Sequence, residues 1–585
     1  MVAQAVAPDL RSLALVLLAS SLGALLSRLS RRIVLPTVVC EIVLGILIGP
    51  EVFGIAEVDP YLQYLSTLGL ALLFFFVGLE VVEHRVPNAV LARGTRGWAL
   101  SAAVGLAVGV ALQALGLDAK WWVLGIALTT TSLGALAPIL RDAGILPTPL
   151  GVALLGSGVA GEFWPIVVIS VFLTGTYGAL TEMLLLAGFG VVVFLAASAV
   201  AAIVARLHRR LILPTVVVEI VLGILIGPEA LGFADSDPYI EFPPTLGLVF
   251  LFFFAGLEVV EKRVPRRAIG LGTAGWAMSL AVGLTAGTIL EESGVDAEGW
   301  ILGVALATTA LGTLVPILSD ARLLGTPLGT AVLGNGVAGE FWPIVVISVF
   351  LTGVYGSVAE VLLLLGFGAL VALAGWTALR ARPPNVVRVL QETVHTTGQA
   401  AVRLAILILA ALVLLARDVG FDFVLGAFAA GLVVGLVLDT PDGEVVRMRL
   451  EGIGFGFLIP IYFVTTGVDF DIDSLLTASG LALAALFLAL LLVIRGSASL
   501  LWRRRLGPQH TLALAFFVAT GLPLIVAIVD IGTDRGAIDP DVGASLIGAG
   551  MISVLVYPFI ATRLAGPGPS GAPGPPSPAA DVSEY

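Results

Sequence analysis

Charged residues are scarce in this chain: they make up 12% of its 585 residues, against roughly 25% in a soluble globular protein. Cysteine is nearly absent as well, since Cys40 is the only one, and this excludes a disulfide framework. Nucleotide-binding loops and Cys/His clusters with metal-ligand spacing do not occur, so we predict no cofactor, no metal site and no enzymatic activity. The formal net charge of −11 argues against nucleic-acid binding, which needs a basic surface.

Hydrophobic residues, in contrast, make up 58% of the chain. They are gathered in about nineteen runs of about 20 residues, the length that crosses the hydrocarbon core of a bilayer. We therefore predict an all-α polytopic membrane protein with about nineteen transmembrane helices, whose partner is the lipid bilayer. With the N-terminus outside, the basic residues fall on the cytoplasmic side, apart from Arg11, Lys120, Arg417 and Arg535. The same pattern predicts a cytoplasmic C-terminus.

One long segment occurs twice without a change: "GVAGEFWPIVVISVFLTG" stands at 158–175 and at 336–353, an offset of 178 residues (336 − 158). The same offset relates "LPTVVCEIVLGILIGPE" at 35–51 to "LPTVVVEIVLGILIGPE" at 213–229. A fixed period of this kind indicates a tandem duplication, here of a unit of six predicted helices. Because six is even, the extra copy leaves the orientation of every later helix unchanged.

A second, more distant relation links 190–353 with 398–563. Each region has six predicted helices, and a helix near 357–380 makes the two sets enter the membrane from opposite sides. This is the inverted-repeat plan of secondary transporters. We predict an extra six-helix copy at residues 1–189, followed by the N-terminal half of an antiporter at 190–353. A linker at 354–397 leads to the C-terminal half at 398–564, and a disordered Pro/Gly/Ser-rich tail follows at 565–585.

A carboxylate lies deep inside one apolar helix, where "GNGVAGEFWP" places Glu340 far from either end. Such a group is expensive in a membrane and is a functional candidate. It can hold a proton, or lose it and hold a cation, and this competition is sufficient for antiport. Pro343 removes a helix hydrogen bond and opens the backbone nearby. The alternative interpretation is a structural glutamate that bonds a neighbouring helix.

Two segments have the composition of interrupted helices: "ATTALGTLVP" at 307–316 and "VATGLPLIV" at 518–526. They occupy the fifth position of each half and run in opposite directions. Broken helices at matching positions indicate a binding site near the bilayer midplane, although an ordinary proline kink remains the alternative. The candidate ion- and proton-binding residues are Glu340, Asn335, Thr308, Thr309 and Thr520, and the candidate helix-break residues are Pro316, Pro343, Gly521 and Pro523.

Four further stretches, in order along the chain, carry a family resemblance: "LPTVVVEIVLGILIGP" (213–228), "LGLVFLFFFAGLEV" (246–259), "LGAFAAGLVVG" (425–435) and "IPIYFVTTGVDFDI" (459–472). They resemble signature stretches of the bacterial monovalent cation:proton antiporter-2 family, over about residues 190–563. The resemblance implies a six-helix core in which two unwound helices cross, with Glu340 as the ion- and proton-carrying carboxylate. It also implies an elevator-like motion, a homodimer formed through the remaining helices, and a place in the bacterial cytoplasmic membrane.

The chain departs from that pattern at two places. Many members have two adjacent acidic residues, or Asn-Asp, where this chain has Gly339 and Glu340. Electrogenic members place a lysine in the helix at 480–496, which here has only Arg495, predicted at its cytoplasmic end. We therefore hypothesise electroneutral exchange of one proton for one cation, with Glu340 as the sole titrating group.

The predicted function is thus exchange of Na⁺ or K⁺ for H⁺ by a secondary transporter. The alternative is a cation channel, or a transport-inactive regulatory subunit on the same scaffold. Glu219, in the middle of a signature helix, is a possible accessory residue, with structural and functional interpretations equally weighted. Glu162 is the duplicate-copy equivalent of Glu340. Because the extra copy has no C-terminal half of its own, we predict that the second copy makes the transport site.

Overall fold

A computed structural model gives the positions of most of the chain. The described residues are chiefly 10–29, 37–69, 87–117, 120–131, 148–173, 214–228, 242–261, 264–350, 399–438 and 441–566, with a few single positions between them. The predicted helices near 183–207 and 357–380 and the predicted tail 565–585 lie almost wholly outside the described residues.

The chain divides into two compact units. The larger contains Met1–Glu57 and Leu213–Tyr585, and the smaller contains Val58–Ile212. These limits differ from the repeat boundaries that the sequence predicts at 189/190 and 353/354, because the first two described helices belong to the larger unit. The repeat boundaries stay predictions.

The described secondary structure is almost entirely helical, as predicted. The larger unit opens with α1 (Leu10–Leu29), α2 (Thr37–Ile48), α6 (Thr215–Ile226), α7 (Phe242–Glu261) and α8 (Arg266–Glu292), and the smaller unit contains α3 (Asn88–Ala114), α4 (Trp121–Ala127) and α5 (Pro149–Leu173). The larger unit continues with α9 (Gly299–Leu306), α10 (Leu311–Asp320), α11 (Pro327–Phe350), α12 (Ala400–Val419), α13 (Phe423–Leu438), α14 (Pro441–Ile453) and α15 (Ile459–Val468). It ends with α16 (Ile472–Leu476), α17 (Ala478–Gly496), α18 (Arg503–Val518), α19 (Pro523–Asp534) and α20 (Pro540–Ala565).

Seven helical stretches among the described residues are long and apolar enough to cross a membrane: Ala89–Ala114, Arg266–Glu292, Pro327–Ser348, Ala400–Val419, Gly443–Val468, Ala478–Val518 and Pro540–Ala565. The multi-pass prediction is confirmed at this level. The count of nineteen helices stays a prediction, because several predicted spans are broken, short or outside the described residues.

Within the larger unit, one group of helices packs through small residues. A Cβ atom at Gly256 of α7 would lie 2.1 Å from the carbonyl oxygen of Phe428 in α13, and one at Gly431 would lie 1.9 Å from the carbonyl oxygen of Phe253. Close backbone approach of this kind is how apolar helices associate in membranes. Phe253 and Phe428 are fully buried at this contact, so α7 and α13 form a tightly packed pair.

A second group, formed by α8, α9, α11, α17, α18, α19 and α20, surrounds the candidate site. The loops that follow α8 and α19 meet at one end of this group. Ala297 and Ile538 form an antiparallel bridge, and the Glu298 N–H donates to the Ala537 carbonyl oxygen at 2.9 Å. The loops therefore tie α9 to α19, the two helices that bracket the site from opposite halves.

The first two helices pack against α12. Arg403 of α12 donates from Nη1 to the carboxylate of Glu41 in α2, and also to the carbonyl oxygen and the Oγ of Ser20 in α1, both at 3.2 Å. Nearer the other end of α12, Arg11 pairs with Asp418 at 3.4 Å. The Arg403 and Glu41 side chains are only about a quarter exposed (27% and 26%). Polar contacts therefore hold the hairpin of α1 and α2 on α12.

The substitution Arg403→Glu is expected to loosen this hairpin, because two carboxylates would then face each other. An ion pair of this exposure contributes about 1 kcal/mol, which corresponds to roughly fivefold faster labelling by a maleimide of Cys40, the single cysteine beside Glu41. Adding Glu41→Arg to Arg403→Glu restores the slow rate. The control is Arg417→Glu on the exposed side of α12. Equal labelling rates in all four proteins would show that the pair does not hold the hairpin.

Candidate functional site

Two helices of the larger unit are interrupted, and their unwound segments meet. Residues 307–310 separate α9 from α10, and residues 519–522 separate α18 from α19. The Ala310 N–H donates to the Thr520 carbonyl oxygen at 2.8 Å, and the Thr309 Oγ1 donates to the Val518 carbonyl oxygen at 2.6 Å. One backbone N–H and one threonine hydroxyl of the first segment thus bond backbone carbonyl oxygens of the second. Such pairing is the condition for irregular backbone inside an apolar bundle.

The candidate residues of these two segments lie at the crossing. Thr308, Thr309 and Thr520 are fully buried. Gly521 lies in the second unwound segment, and its N–H donates to the Ser553 Oγ at 3.2 Å. Pro523 is the first residue of α19, a position at which the missing proline N–H costs nothing.

Pro316 does not lie at the break, contrary to the sequence prediction. It stands inside α10, and the helix is interrupted several residues earlier, at 307–310. The interruption is stabilised by tertiary hydrogen bonds that the sequence does not reveal. One of them joins the Thr309 N–H to the Gly339 carbonyl oxygen of α11 at 3.1 Å.

Pro343 does not interrupt its helix either, since α11 runs through it from Pro327 to Phe350. The expected opening of the backbone is nevertheless present. In a helix, the N–H of residue 343 would bond the carbonyl oxygen of residue 339, and proline has no N–H. The carbonyl oxygen of Gly339 is therefore left to accept the hydrogen bond from Thr309.

Glu340 lies one residue beyond this contact. Its side chain is half-buried, and its Oε2 atom is shielded from solvent. Five residues earlier on α11, Asn335 is fully buried, and its Nδ2 donates to the Ala331 carbonyl oxygen at 2.9 Å. The Oδ1 of Asn335 has no hydrogen-bond partner among the described residues, so a buried acceptor is left over on the helix that carries Glu340.

Arg495 lies in the last turn of α17, at the helix end that the sequence predicts, but its surroundings differ from those expected of a residue at a helix end. A short 3-10 helix, Ser497–Trp502, follows α17 and leads into α18. The Arg495 side chain is completely buried; its Nε donates to the Thr309 Oγ1 and its Nη2 to the Asn335 carbonyl oxygen, both at 2.6 Å. The exposed basic run begins only at Arg503, and this is the sequence signal that Arg495 need not lie at the surface.

The structure does not bring Glu219 to the crossing through any described hydrogen bond. Glu219 is half-buried on α6, and this helix packs closely against α15. A Cβ atom at Gly223 would lie 2.7 Å from the Gly467 Cα. Glu219 therefore lies on a helix that packs closely against α15.

The smaller unit repeats part of the site geometry. In it, the Thr131 N–H donates to the Gly161 carbonyl oxygen at 3.0 Å, and Pro165 stands inside α5 as Pro343 stands inside α11. Glu162 is half-buried beside this contact. The unit ends at Ile212, so its sequence contains no counterpart of Arg495 or of the α18–α19 break.

The two copies also differ in side chains near the contact. Ser157 stands where the second copy has Asn335. In the first copy, the Trp98 Nε1 donates to the Thr129 Oγ1 at 3.2 Å. The position equivalent to Thr129 (129 + 178 = 307) is Ala307, so the second copy lacks that hydroxyl beside its unwound segment.

Metal-binding clusters are not part of this site as far as it is described. Among the described residues there is no group of three or more His, Cys, Asp or Glu side chains that could hold a metal ion. The site therefore consists of neutral oxygens, one carboxylate and one guanidinium, surrounded by buried apolar helices.

Comparison with known proteins finds one family. The profile described as "Sodium/hydrogen exchanger, transmembrane" matches residues 17–207 and residues 196–565. A relative named "Putative Na(+)/H(+) antiporter YjbQ" from Bacillus subtilis is 28% identical over 61% of this chain and 60% of its own length. "Cation/H(+) antiporter 17" from Arabidopsis thaliana is 28% identical over 59% of this chain and 44% of its own. The chain thus spans about half to three fifths of these two relatives.

Two proteins of Methanocaldococcus jannaschii are also similar. "Probable Na(+)/H(+) antiporter 3" is 23% identical over 62% of this chain and 93% of its own length. A solved sodium proton antiporter is 18% identical, with a TM-score of 0.47, over 66% of this chain and 98% of that chain.

Proposed function

This chain belongs to the sodium/hydrogen exchanger family, and we propose that it exchanges a monovalent cation, Na⁺ or K⁺, for H⁺ across a membrane. The family is one of transporters and not of enzymes. The observation that carries the proposal is the crossing of the two unwound segments, Ala310 to Thr520 at 2.8 Å, beside a carboxylate on α11. Broken helices from two halves that meet around an ionisable group form the usual ion site of secondary transporters.

The proposed exchange depends on competition at Glu340. A carboxylate with one oxygen shielded from solvent is costly to leave charged and uncompensated. It is therefore occupied by a proton or balanced by a cation, and each displaces the other. The buried oxygens of Thr308, Thr309, Thr520 and Asn335 are the proposed additional ligands, since alkali cations prefer oxygen donors.

Arg495 supports the electroneutral form of this proposal. A guanidinium keeps its proton at neutral pH, so Arg495 does not add a second exchangeable proton to that of Glu340. Its bonds to Thr309 and to the Asn335 carbonyl oxygen, both at 2.6 Å, fix it to the first unwound segment and to α11. We propose that its constant charge balances the negative end of the neighbouring half-helix dipoles.

The second copy is the proposed transport site, and the first copy is proposed to be inactive. Support comes from the two separate family matches, at 17–207 and 196–565, which fit a duplicated N-terminal half. Of the two carboxylate-bearing helices, only α11 lies in the same compact unit as α17 to α19, whereas α5 lies in the smaller unit. We also propose a homodimer and a bacterial cytoplasmic membrane with the C-terminus inside, on the basis of the resemblance and of the distribution of Lys and Arg.

The test is transport by the purified protein in proteoliposomes that carry an inside-acid proton gradient. Addition of Na⁺, K⁺ and Li⁺ in turn to separate samples is expected to release protons for at least one cation, with no change in a membrane-potential dye. Cation flux that is not accompanied by proton movement would instead indicate a channel. Exchange that generates a membrane potential would overturn the electroneutral mechanism, and no flux for any of the cations would favour a transport-inactive subunit.

A further inference from the structure

Proline stands inside the carboxylate-bearing helix of both copies, as Pro343 in α11 and Pro165 in α5. We propose that Pro343 is a positioning residue for exchange: by lacking an N–H, it leaves the Gly339 carbonyl oxygen to hold the unwound segment at 307–310 next to Glu340. This inference rests on the proposed function and adds to it a residue that binds neither ion.

Pro343 removes one backbone hydrogen bond from α11. Every carbonyl in a regular helix accepts from the N–H four residues later, and proline removes that donor. The carbonyl that loses its donor to Pro343 belongs to Gly339. This same oxygen accepts from the Thr309 N–H at 3.1 Å. A single missing N–H on α11 therefore creates the acceptor that the broken helix uses.

The N–H groups of the unwound segment at 307–310 need hydrogen-bond acceptors outside that segment. Buried N–H groups without a partner are costly in an apolar bundle. At the crossing, the N–H of Ala310 uses the Thr520 carbonyl oxygen at 2.8 Å, so the Thr309 N–H needs the bond to Gly339. The segment is thus held on one side by the C-terminal half and on the other by α11.

Gly339 itself allows this approach. A Cβ atom at that position would lie 2.7 Å from the Thr309 Oγ1 and 2.9 Å from the Thr309 Cβ, which is too close for any side chain. Gly339 and Pro343 act together: the glycine lets the backbone of the broken helix come near, and the proline supplies the free acceptor.

The smaller unit gives an independent instance of the same arrangement. Pro165 leaves the Gly161 carbonyl oxygen to the Thr131 N–H, at 3.0 Å. That unit contains no part of the C-terminal half. The contact is therefore a local property of the glycine, the proline and the broken helix, and it does not depend on packing against α18 and α19.

The test compares three residues at position 343 in the full-length protein: proline, alanine, and lactic acid introduced by nonsense suppression. Alanine restores the N–H, whereas lactic acid forms an ester, which lacks both the N–H and the proline ring. For Pro343→Ala we expect an apparent KM for the transported cation about 2- to 10-fold higher, the effect of weakening one hydrogen bond. The maximal rate and the protein yield stay close to wild type.

The ester variant is expected to return the KM for the transported cation to that of wild type. Pro165→Ala is the matched control in the first copy and leaves this KM unchanged. A wild-type KM for Pro343→Ala, or an ester variant as impaired as alanine, would overturn the inference. If the alanine and ester variants both fail to accumulate, the ring and not the missing N–H is what the protein needs, and the inference is again overturned.

These outcomes are distinct from a failure of the proposed function. Retention of exchange by a Glu340→Gln variant would overturn the role of that carboxylate. It would leave unaffected the hydrogen bond from the Thr309 N–H to the Gly339 carbonyl oxygen. A Pro343→Ala variant with wild-type kinetics, in a protein whose exchange needs Glu340, would overturn the positioning role alone.

Discussion

Glu340→Gln is expected to abolish cation-dependent proton release from proteoliposomes, whereas Glu162→Gln leaves it at the wild-type rate. Glutamine keeps the size of the side chain but can neither release a proton nor balance a cation, so the competition that drives exchange is lost. Glu162 stands in an equivalent sequence inside a unit that contains no C-terminal half. The measurement is the fluorescence dequenching of a pH-sensitive dye after addition of the cation.

The identical local sequence makes this pair a closely matched comparison. The two glutamates lie in the same segment, at 158–175 and 336–353, so differences in membrane insertion are small. Loss of exchange in Glu162→Gln with retention in Glu340→Gln would reverse the assignment of the copies. Loss in both would mean that each copy takes part in transport, and retention in both would remove these carboxylates from the mechanism.

Arg495→Leu is expected to abolish exchange and to destabilise the protein as well. The fully buried guanidinium makes two hydrogen bonds of 2.6 Å, and hydrogen bonds from charged groups contribute about 1.5–3 kcal/mol each. Leucine leaves the Asn335 carbonyl oxygen without this donor and removes the link between α17 and the first unwound segment. The measurements are the midpoint of thermal unfolding in detergent and the rate of proton release.

Arg504→Leu is the control for Arg495→Leu, because Arg504 is an exposed residue of the nearby basic run. It is expected to retain stability and transport. Arg495→Lys separates charge from geometry: lysine keeps the charge but lacks the planar fork that reaches Thr309 and Asn335 together. We expect partial stability and a slower rate from it. Wild-type stability and transport in Arg495→Leu would contradict the role assigned to the guanidinium.

Several features of the fold were accessible from the sequence because they depend on local pattern. The length of the apolar runs predicted membrane-spanning helices, and the ordered signature stretches predicted the family, which is confirmed. The composition around Thr309 and Thr520 predicted two interrupted helices, and the structure has interruptions at both. Threonine and glycine next to apolar residues weaken a helix locally, so the sequence carries this signal.

Other features could not be predicted, because they depend on contacts between distant segments. Pro316 and Pro343 have the same local chemistry as Pro523, yet only Pro523 begins a helix after a break. At Pro316 and Pro343, the effect of the missing N–H depends on the hydrogen bonds that neighbouring segments provide. Arg495 was placed at a helix end because its local sequence ends an apolar run, and only the packing of α8, α11 and α17 around it shows its burial.

The sequence by itself determined that the chain is helical, apolar, internally repeated and related to cation exchangers, since composition, period and ordered motifs are properties of the chain alone. The tertiary structure alone decided which carbonyl accepts from which N–H and how α1 and α2 are held on α12. It also decided that the Arg495 side chain is buried at the crossing. Hydrogen bonds between distant segments, such as that from Thr309 to Val518, 209 residues apart, leave no local trace. Their partners are chosen by distance and direction in the folded protein.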